Sequence, residues 1–312
     1  MTQLIATSVV RGSHQGESHG GVYLIDTLAE ELLNPVTWDN MDIDWSGRGW
    51  DRGLRGIAFH DNGIFIAASD EVFLFDQQFS VRKSYRNPYL KHCHEISLFG
   101  GHLFISSTGY DSIIGLNLET EEFDWGLHVL SEGAAFGAKR FDPRQQDGPL
   151  MLNKLHLNNV FCDKGGMFIS GLRTQALLRF NGKAIGVMTT LPAGVHNAQP
   201  FQDGVIFNDT QADAVRFESP NKRKAYRVPR FAPHKLTHTE LDDSKIARQG
   251  FGRGLYAIDE HTLAAGSSPS TIALYDLREQ RPLKLVNLTM DVRNAIHGLA
   301  AWPYAWPQVP HE

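Results

Sequence analysis

A short apolar run that ends in small residues recurs six times along the chain. The copies are LIATS from Leu4, FIAAS from Phe65, FISST from Phe104, FISGL from Phe168, IFNDT from Ile206 and LAAGS from Leu263. Each is followed, after a polar turn, by a run of alternating β-branched and aromatic residues that ends in Asp, Asn or Glu, such as VFLFD ending at Asp76. Alternation with a period of two is typical of a β-strand with one buried face. The pattern therefore predicts a repeat built from β-hairpins.

A further strand precedes five of the six hairpins in matching register. Its opening residues are Arg55, His94, His156, His196 and Arg253. The sixth copy is missing at the N-terminus, but a matching run, HGLAAW from His297, stands near the other end of the chain. Pairing of this C-terminal strand with the N-terminal hairpin would close a ring of six sheets.

A closed ring of short antiparallel sheets is the way in which a β-propeller removes its exposed edges. We therefore predict an all-β, six-bladed β-propeller, closed by pairing the strand from His297 with N-terminal strands, and a single domain over residues 1–312. Only the segment from Leu28 to Asn34 looks helical, because Gly and polar turns interrupt the other apolar runs.

Composition narrows the class of protein without changing the fold prediction. The chain of 312 residues is 42% hydrophobic and 21% charged, as in ordinary globular proteins, and its formal net charge of −5 argues against nucleic acid as a partner. Only Cys93 and Cys162 are present, so a disulfide framework is not needed. No run reaches the roughly 18 apolar residues of a membrane span, and the apolar run from Leu4 lacks a signal-peptide layout. We expect a cytoplasmic protein.

The first positions of the six inner strands should form a ring around one mouth of the central channel. Four of the six are histidines, which come from strands far apart in the sequence: His94, His156, His196 and His297. Neutral imidazole nitrogen is a good ligand for iron, copper and zinc, and four imidazoles would leave one or two positions open on the metal. The ring therefore predicts a metal site. A channel lined by histidines that water bridges without a metal is the alternative.

The other two ring positions are arginines, which cannot ligate a cation. Arg55 and Arg253 are therefore predicted to bind a carboxylate or phosphate group of a substrate, or else to pair with protein carboxylates. Trp50 and Arg52, in the connection before Arg55, are predicted to join them. In a variant of the site only three histidines ligate, and His297 acts as a general acid or base.

Several side chains around this mouth are candidates for supporting roles. Glu95 and Asp209 are carboxylates that could orient ligand imidazoles. The enlarged turn with His14 and His19 could hold a second metal or serve as a lid, although its many Gly and Ser residues favour a plain loop.

The set of four histidines resembles that of the carotenoid cleavage oxygenases. This resemblance covers His94, His156, His196 and His297 alone, because the present chain is shorter, has six predicted blades instead of seven and shares no flanking sequence. It implies iron(II) on the propeller axis, with carboxylates orienting some of the imidazoles. The repeats themselves resemble an uncharacterised bacterial family of six-bladed propellers, which implies a fold and no activity.

Three classes of function follow. The first is a mononuclear non-haem iron(II) oxygenase or oxidase that acts on an anionic small molecule or peptide, with copper as another possible redox metal. The second is a lyase or hydrolase that depends on zinc or manganese. The third is a non-catalytic propeller that binds a protein or peptide through its loops.

Overall fold

A computed structural model describes residues 2–13, 16–38, 53–133, 135–240, 248–279 and 281–307. Over these residues the chain forms six antiparallel sheets arranged in a ring, which confirms the predicted all-β six-bladed propeller. The described residues also include two short 3₁₀ helices, at Thr108–Tyr110 and Pro233–Lys235. No helix in this part of the chain is long and apolar enough to cross a membrane.

Each blade is one antiparallel sheet, and the blades are numbered here from Arg55 onward. Strands β1 (Gln3–Val10), β2 (Gly21–Asp26) and β3 (Glu31–Thr37) belong to blade 6. Blade 1 contains β4 (Ile57–His60), β5 (Gly63–Ala68), β6 (Glu71–Phe75) and β7 (Val81–Arg86). Blade 2 contains β8 (Cys93–Phe99), β9 (His102–Ser107), β10 (Ser112–Asn117), β11 (Glu122–Glu132) and β12 (Ala135–Phe141).

The remaining blades follow in chain order. Blade 3 contains β13 (Leu157–Asp163), β14 (Gly166–Gly171), β15 (Ala176–Phe180) and β16 (Ile185–Thr190). Blade 4 contains β17 (Val195–Phe201), β18 (Gly204–Asp209), β19 (Ala214–Glu218) and β20 (Arg223–Arg227). Blade 5 contains β21 (Gly252–Ala257), β22 (Thr262–Ser267), β23 (Thr271–Asp276) and β24 (Pro282–Asn287), and β25 (Asn294–Ala301) completes blade 6.

The ring closes where β25 pairs with β1. The two strands are antiparallel, with Leu4 opposite Ala301 and Val10 opposite Asn294. The predicted closure is therefore confirmed, although β25 begins at Asn294, before His297. The apolar side chains of β1 and β25 are mostly buried, so the last strand of the chain completes the core of blade 6.

The inner strands are irregular at the residues that reach the channel mouth. Pairing shifts register between Cys93 and Ile96 in blade 2, between His196 and Gln199 in blade 4, and opposite His297 in blade 6. Such β-bulges turn a side chain away from the ordinary alternation of a strand. The histidines are thus aimed by local distortion of the backbone.

Hydrogen bonds between neighbouring blades fix the backbone beside the ring. The Thr7 hydroxyl donates to the carbonyl of Arg55, and the Thr108 hydroxyl donates to that of Leu157. In blade 4 the Asn208 amide donates to the carbonyl of Arg253 at 3.0 Å. Because each bond joins two blades, the ring residues are held by their neighbours as well as by their own sheets.

The predicted helix from Leu28 to Asn34 is wrong. The chain turns after Asp26 and then forms the outermost strand of blade 6, in which Leu32 is 46% exposed. An outermost strand is covered on few sides, so its pattern of apolar residues is weak and does not distinguish strand from helix.

Both cysteines are free thiols, and Cys93 is buried whereas Cys162 is half-buried. Cys93 is fully buried, and burial raises its pKa; burial also raises the pKa of Cys162 to about 12. With a pKa near 12, only about one Cys162 in ten thousand is a thiolate at pH 8. We expect iodoacetamide to leave both cysteines unmodified in the native protein over an hour and to alkylate both in guanidinium chloride, as read by intact mass. Rapid alkylation of native protein would contradict this packing.

Candidate functional site

The four predicted histidines lie together at one mouth of the channel. The ring centroid of His94 is 5.8 Å from that of His156, 5.9 Å from that of His196 and 5.1 Å from that of His297. The centroids of His196 and His297 are 6.1 Å apart. Residues separated by up to about two hundred positions in the sequence thus meet because each occupies the same place in its blade.

These imidazoles line a cavity of about 330 Å³ that also contains both predicted arginines. Arg55 and Arg253 are buried at its wall. The turn between β1 and β2 adds Arg11, and the connection before β21 adds Phe251. The loops at this end of the blades therefore complete the cavity, as expected for the mouth at which the inner strands begin.

Hydrogen bonds fix the tautomer of His94. Its Nδ1 lies 2.7 Å from the carbonyl oxygen of His92 and 2.8 Å from the hydroxyl oxygen of Thr108. A carbonyl oxygen can only accept, so Nδ1 carries the proton. The lone pair of His94 therefore resides on Nε2, the nitrogen that a metal would use.

His156 is positioned by two side chains from outside its own strand. Its Nδ1 donates to the Asn153 side-chain oxygen at 3.0 Å, which again leaves the lone pair on Nε2. Its backbone N–H donates to the buried carboxylate of Asp111 at 2.9 Å, and the N–H groups of Lys154 and Leu155 donate to the same carboxylate. His156 has a φ of +54°, an uncommon conformation that these contacts hold in place.

The other two imidazoles each have a buried nitrogen that lacks a hydrogen bond. Within the described part of the chain, Nδ1 of His196 and Nδ1 of His297 have no such partner. The Nδ1 of His297 faces Oε1 of Glu95 at 3.8 Å, which is longer than a hydrogen bond. Burial raises the pKa of Glu95 to about 7, with opposing contributions from Asn197 and Arg55. Glu95, in blade 2, thus lies close to His297, in blade 6, and is the better supported of the two predicted orienting carboxylates.

Burial makes all four imidazoles poor bases. It lowers the pKa of His156 to about 4, and the pKa values of His94, His196 and His297 lie well below the ordinary value. The arginines and the neighbouring imidazoles lower them further. All four rings are therefore neutral at pH 7, which is the form that binds a metal ion.

The distances between the ring centroids come close to those expected around a bound metal ion, but most of them are longer. A metal ion about 2.1 Å from each imidazole nitrogen in tetrahedral geometry would place ring centroids about 5 Å apart. The pair His94 and His297 is at this spacing, and the other measured pairs are up to 1 Å wider. Accordingly, no group of three or more His, Cys, Asp or Glu side chains in the described ranges already has a ligating arrangement.

Some predicted residues fall elsewhere. Trp50, Arg52 and His14 lie outside the described residues. Asp209 pairs with Arg216 at 2.9 Å, so it does not orient an imidazole as predicted. His19 is buried, and its Nδ1 lies 2.5 Å from the hydroxyl of Ser13, so it is part of the packing of its loop.

The sequence did not reveal four residues that shape this site. Arg11 and Phe251 line the cavity, while Asp111 and Asn153 position His156. All four lie in turns or connections, where residues do not follow the strand repeat. Of these four residues, only Arg11 could have been identified from the sequence, because it ends the apolar run of β1 at the mouth where the histidines lie.

Comparison with known proteins supports the fold and gives no activity. No protein-family model and no curated protein matches the chain. A protein of unknown function from Bacteroides caccae matches with a TM-score of 0.58 and 12% identity, over 97% of this chain and 100% of that one. A chain in a nidogen/laminin complex matches with a TM-score of 0.58 and 10% identity, over 96% of this chain and 97% of that one.

Six-bladed β-propellers are among the structural neighbours. The chain spans 66% of the length of the U3-55K structure, with 12% identity and a TM-score of 0.48. The two matches with TM-scores of 0.58, at 12% and 10% identity, show the fold alone and nothing about chemistry. The resemblance to carotenoid cleavage oxygenases stays a prediction that concerns the histidines alone.

Proposed function

We propose that the protein is a mononuclear metal-dependent enzyme, with His94, His156, His196 and His297 as the metal ligands and Arg55 and Arg253 as the groups that hold an anionic substrate. The observation that carries the proposal is the meeting of four buried, neutral imidazoles in a cavity that also contains guanidinium groups. The lowered pKa of His297 favours this set of four ligands over the variant in which three histidines ligate and His297 acts as a general acid or base.

The donor set favours a redox metal. Four imidazole nitrogens without a carboxylate suit iron or copper, and the resemblance of the histidine set points to iron(II). When bound, such an ion would supply the redox chemistry of an oxygenase or oxidase. The buried Nδ1 of His196, which lacks a hydrogen bond among the described residues, supports the fit, because burial of a polar atom without a partner is costly unless something else binds there.

The protein's own residues would prepare the site. His94 and His156 present Nε2 because their Nδ1 protons are engaged by His92, Thr108 and Asn153. Arg55 and Arg253 would orient the substrate by its negative charge. The buried walls would exclude bulk water, which strengthens every charge interaction inside.

Metal analysis tests this proposal. We expect protein purified without chelator to contain one equivalent of iron or copper, and His156→Ala to lose at least about nine tenths of it, since one ligand in four is removed. His102→Ala is the matched control, because His102 pairs with Asp124 away from the cavity and should not affect the metal content.

The identity of the metal separates the classes of function. One equivalent of zinc or manganese would overturn the redox assignment and favour a lyase or hydrolase. Absence of metal at every loading would overturn the metalloenzyme and leave a propeller that binds a protein or peptide.

A further inference from the structure

A second cavity lies on the propeller axis, towards the other mouth of the channel. Its volume is about 490 Å³, and all six inner strands contribute to its walls. Phe201 and Ala301, the last residues of β17 and β25, line it, so it extends to the ends of the inner strands. It shares no lining residue with the cavity that contains the histidines. The second cavity is therefore a separate site.

Glu95 gives the second cavity its charge. Among the described residues that line this cavity, Glu95 is the only one with a formal charge. Its Oε1 is buried and faces Nδ1 of His297, but 13% of the side chain is exposed. Glu95 does not line the first cavity, so this exposed part opens into the second one. The end of the second cavity that is nearest to the histidines therefore carries a negative charge.

The polar groups at this end have an excess of hydrogen-bond acceptors. Oδ1 of Asn197, which lines the cavity, is buried and lacks a hydrogen bond in the described part of the chain. The side-chain amide of Asn159, another lining residue, already donates to the carbonyl oxygen of Ala198. Each inner strand is also the last member of its sheet, so the backbone carbonyls on its channel side are not paired within that sheet. A ligand that fits this end donates hydrogen bonds.

Apolar residues form most of the walls. Phe59, Phe161, Phe201 and Tyr256 line the cavity from four different blades, and all four are partly exposed. Aromatic rings attract organic cations as well as apolar groups. A volume of about 490 Å³ lies within the usual range of sites for small molecules. The walls are therefore suited to the hydrocarbon part of a small ligand.

We propose that the second cavity binds a primary organic ammonium ion, whose charged group donates hydrogen bonds to Glu95 and Asn197 and whose alkyl or aryl part contacts the apolar walls. A calcium or magnesium ion needs about six oxygen ligands, which one carboxylate among apolar walls does not supply. An anion would meet the carboxylate of Glu95 and would find few donors. This proposal does not depend on a metal in the first cavity.

Calorimetric titration of the full chain with three matched probes tests the charge preference. The probes are n-hexylammonium, 1-hexanol and hexanoate at pH 8.5, where an alkylammonium group is still charged. We expect hexylammonium to bind at least about tenfold more tightly than hexanol, because a hydrogen bond to a carboxylate is stronger when the donor is charged. Hexanoate should bind more weakly than hexanol, since its charge has the same sign as that of Glu95.

Variants locate the binding site. Glu95→Gln should weaken hexylammonium binding at least about tenfold and leave hexanol binding within about twofold, because the charge is removed and the shape is kept. Glu132→Gln is the matched control, since Glu132 is exposed at the end of an outer strand of the same blade. His156→Ala should bind hexylammonium as the wild type does, because His156 lines only the first cavity. Thermal denaturation establishes that each variant is folded.

Three results would overturn the proposal. They are equal affinity for hexylammonium and hexanol, tighter binding of hexanoate, and unchanged hexylammonium binding in folded Glu95→Gln. Loss of hexylammonium binding in His156→Ala would also overturn it, because the amine would then bind in the first cavity. None of these results bears on the metal content of the wild-type protein, which is measured on separate samples.

Discussion

Replacement of Asp111 by alanine is expected to lower the free energy of unfolding by about 4 kcal/mol, because a buried carboxylate that accepts several hydrogen bonds is removed. Its oxygens accept from the backbone N–H groups of Lys154, Leu155 and His156. Without the carboxylate these donors lose their partner. Asp111 also has a φ of +47°, which is less favourable for alanine than for aspartate. Urea denaturation followed by fluorescence measures the loss.

The same substitution should remove the metal, because the segment that Asp111 holds carries His156. Asp111→Asn keeps one acceptor oxygen and should lose about 2 kcal/mol, roughly half as much. Asp142→Ala is the matched control, since Asp142 is a partly exposed aspartate that pairs with Arg144. A folded Asp111→Ala protein with stability within 1 kcal/mol of the wild type would contradict this role.

The ring of residues was predictable because the repeat fixes a register. The inner strand and the second strand of each blade are buried, so their apolar alternation is strong. Residues at equivalent positions of equivalent strands therefore lie at the same mouth of the channel. His94, His156, His196 and His297 were placed together on this ground, and the structure brings their rings within 5.1–6.1 Å for the measured pairs. The constant register was enough to place the four histidines together, although the sequence does not show the bulges that orient their side chains.

The features that the sequence did not predict lie where periodicity ends. Arg11 and Phe251 reach the cavity from turns, whose conformation depends on contacts with other blades. Glu95 follows His94 directly, and its approach to His297 depends on the bulge in β8 and on the curvature of the ring. The misassigned segment from Leu28 to Asn34 is an outer strand, where solvent exposure weakens the pattern.

Closure of the ring depends on the absence of a side chain at Gly298. Its N–H donates to the Thr7 hydroxyl at 2.9 Å, and a Cβ there would lie 2.2 Å from the carbonyl oxygen of Arg55 and 2.6 Å from the Thr7 hydroxyl. The first of these is a backbone atom of blade 1, so it can retreat only if two blades separate. Gly298 therefore sits at the contact between the blade that closes the ring and its neighbour.

Gly298→Ala is accordingly expected to lower the free energy of unfolding by about 4 kcal/mol and the melting temperature by about 8 °C for a chain of this size. Gly186→Ala is the matched control, because a Cβ at this outer strand position meets nothing within 4 Å. Calorimetry of the two variants makes the comparison. Because the clash separates Arg55 from the strand that carries His297, Gly298→Ala should bind anions and metal more weakly in addition to being less stable. Both kinds of binding should stay unchanged in Gly186→Ala. Equal melting temperatures for the two variants would mean that this contact does not hold the ring closed.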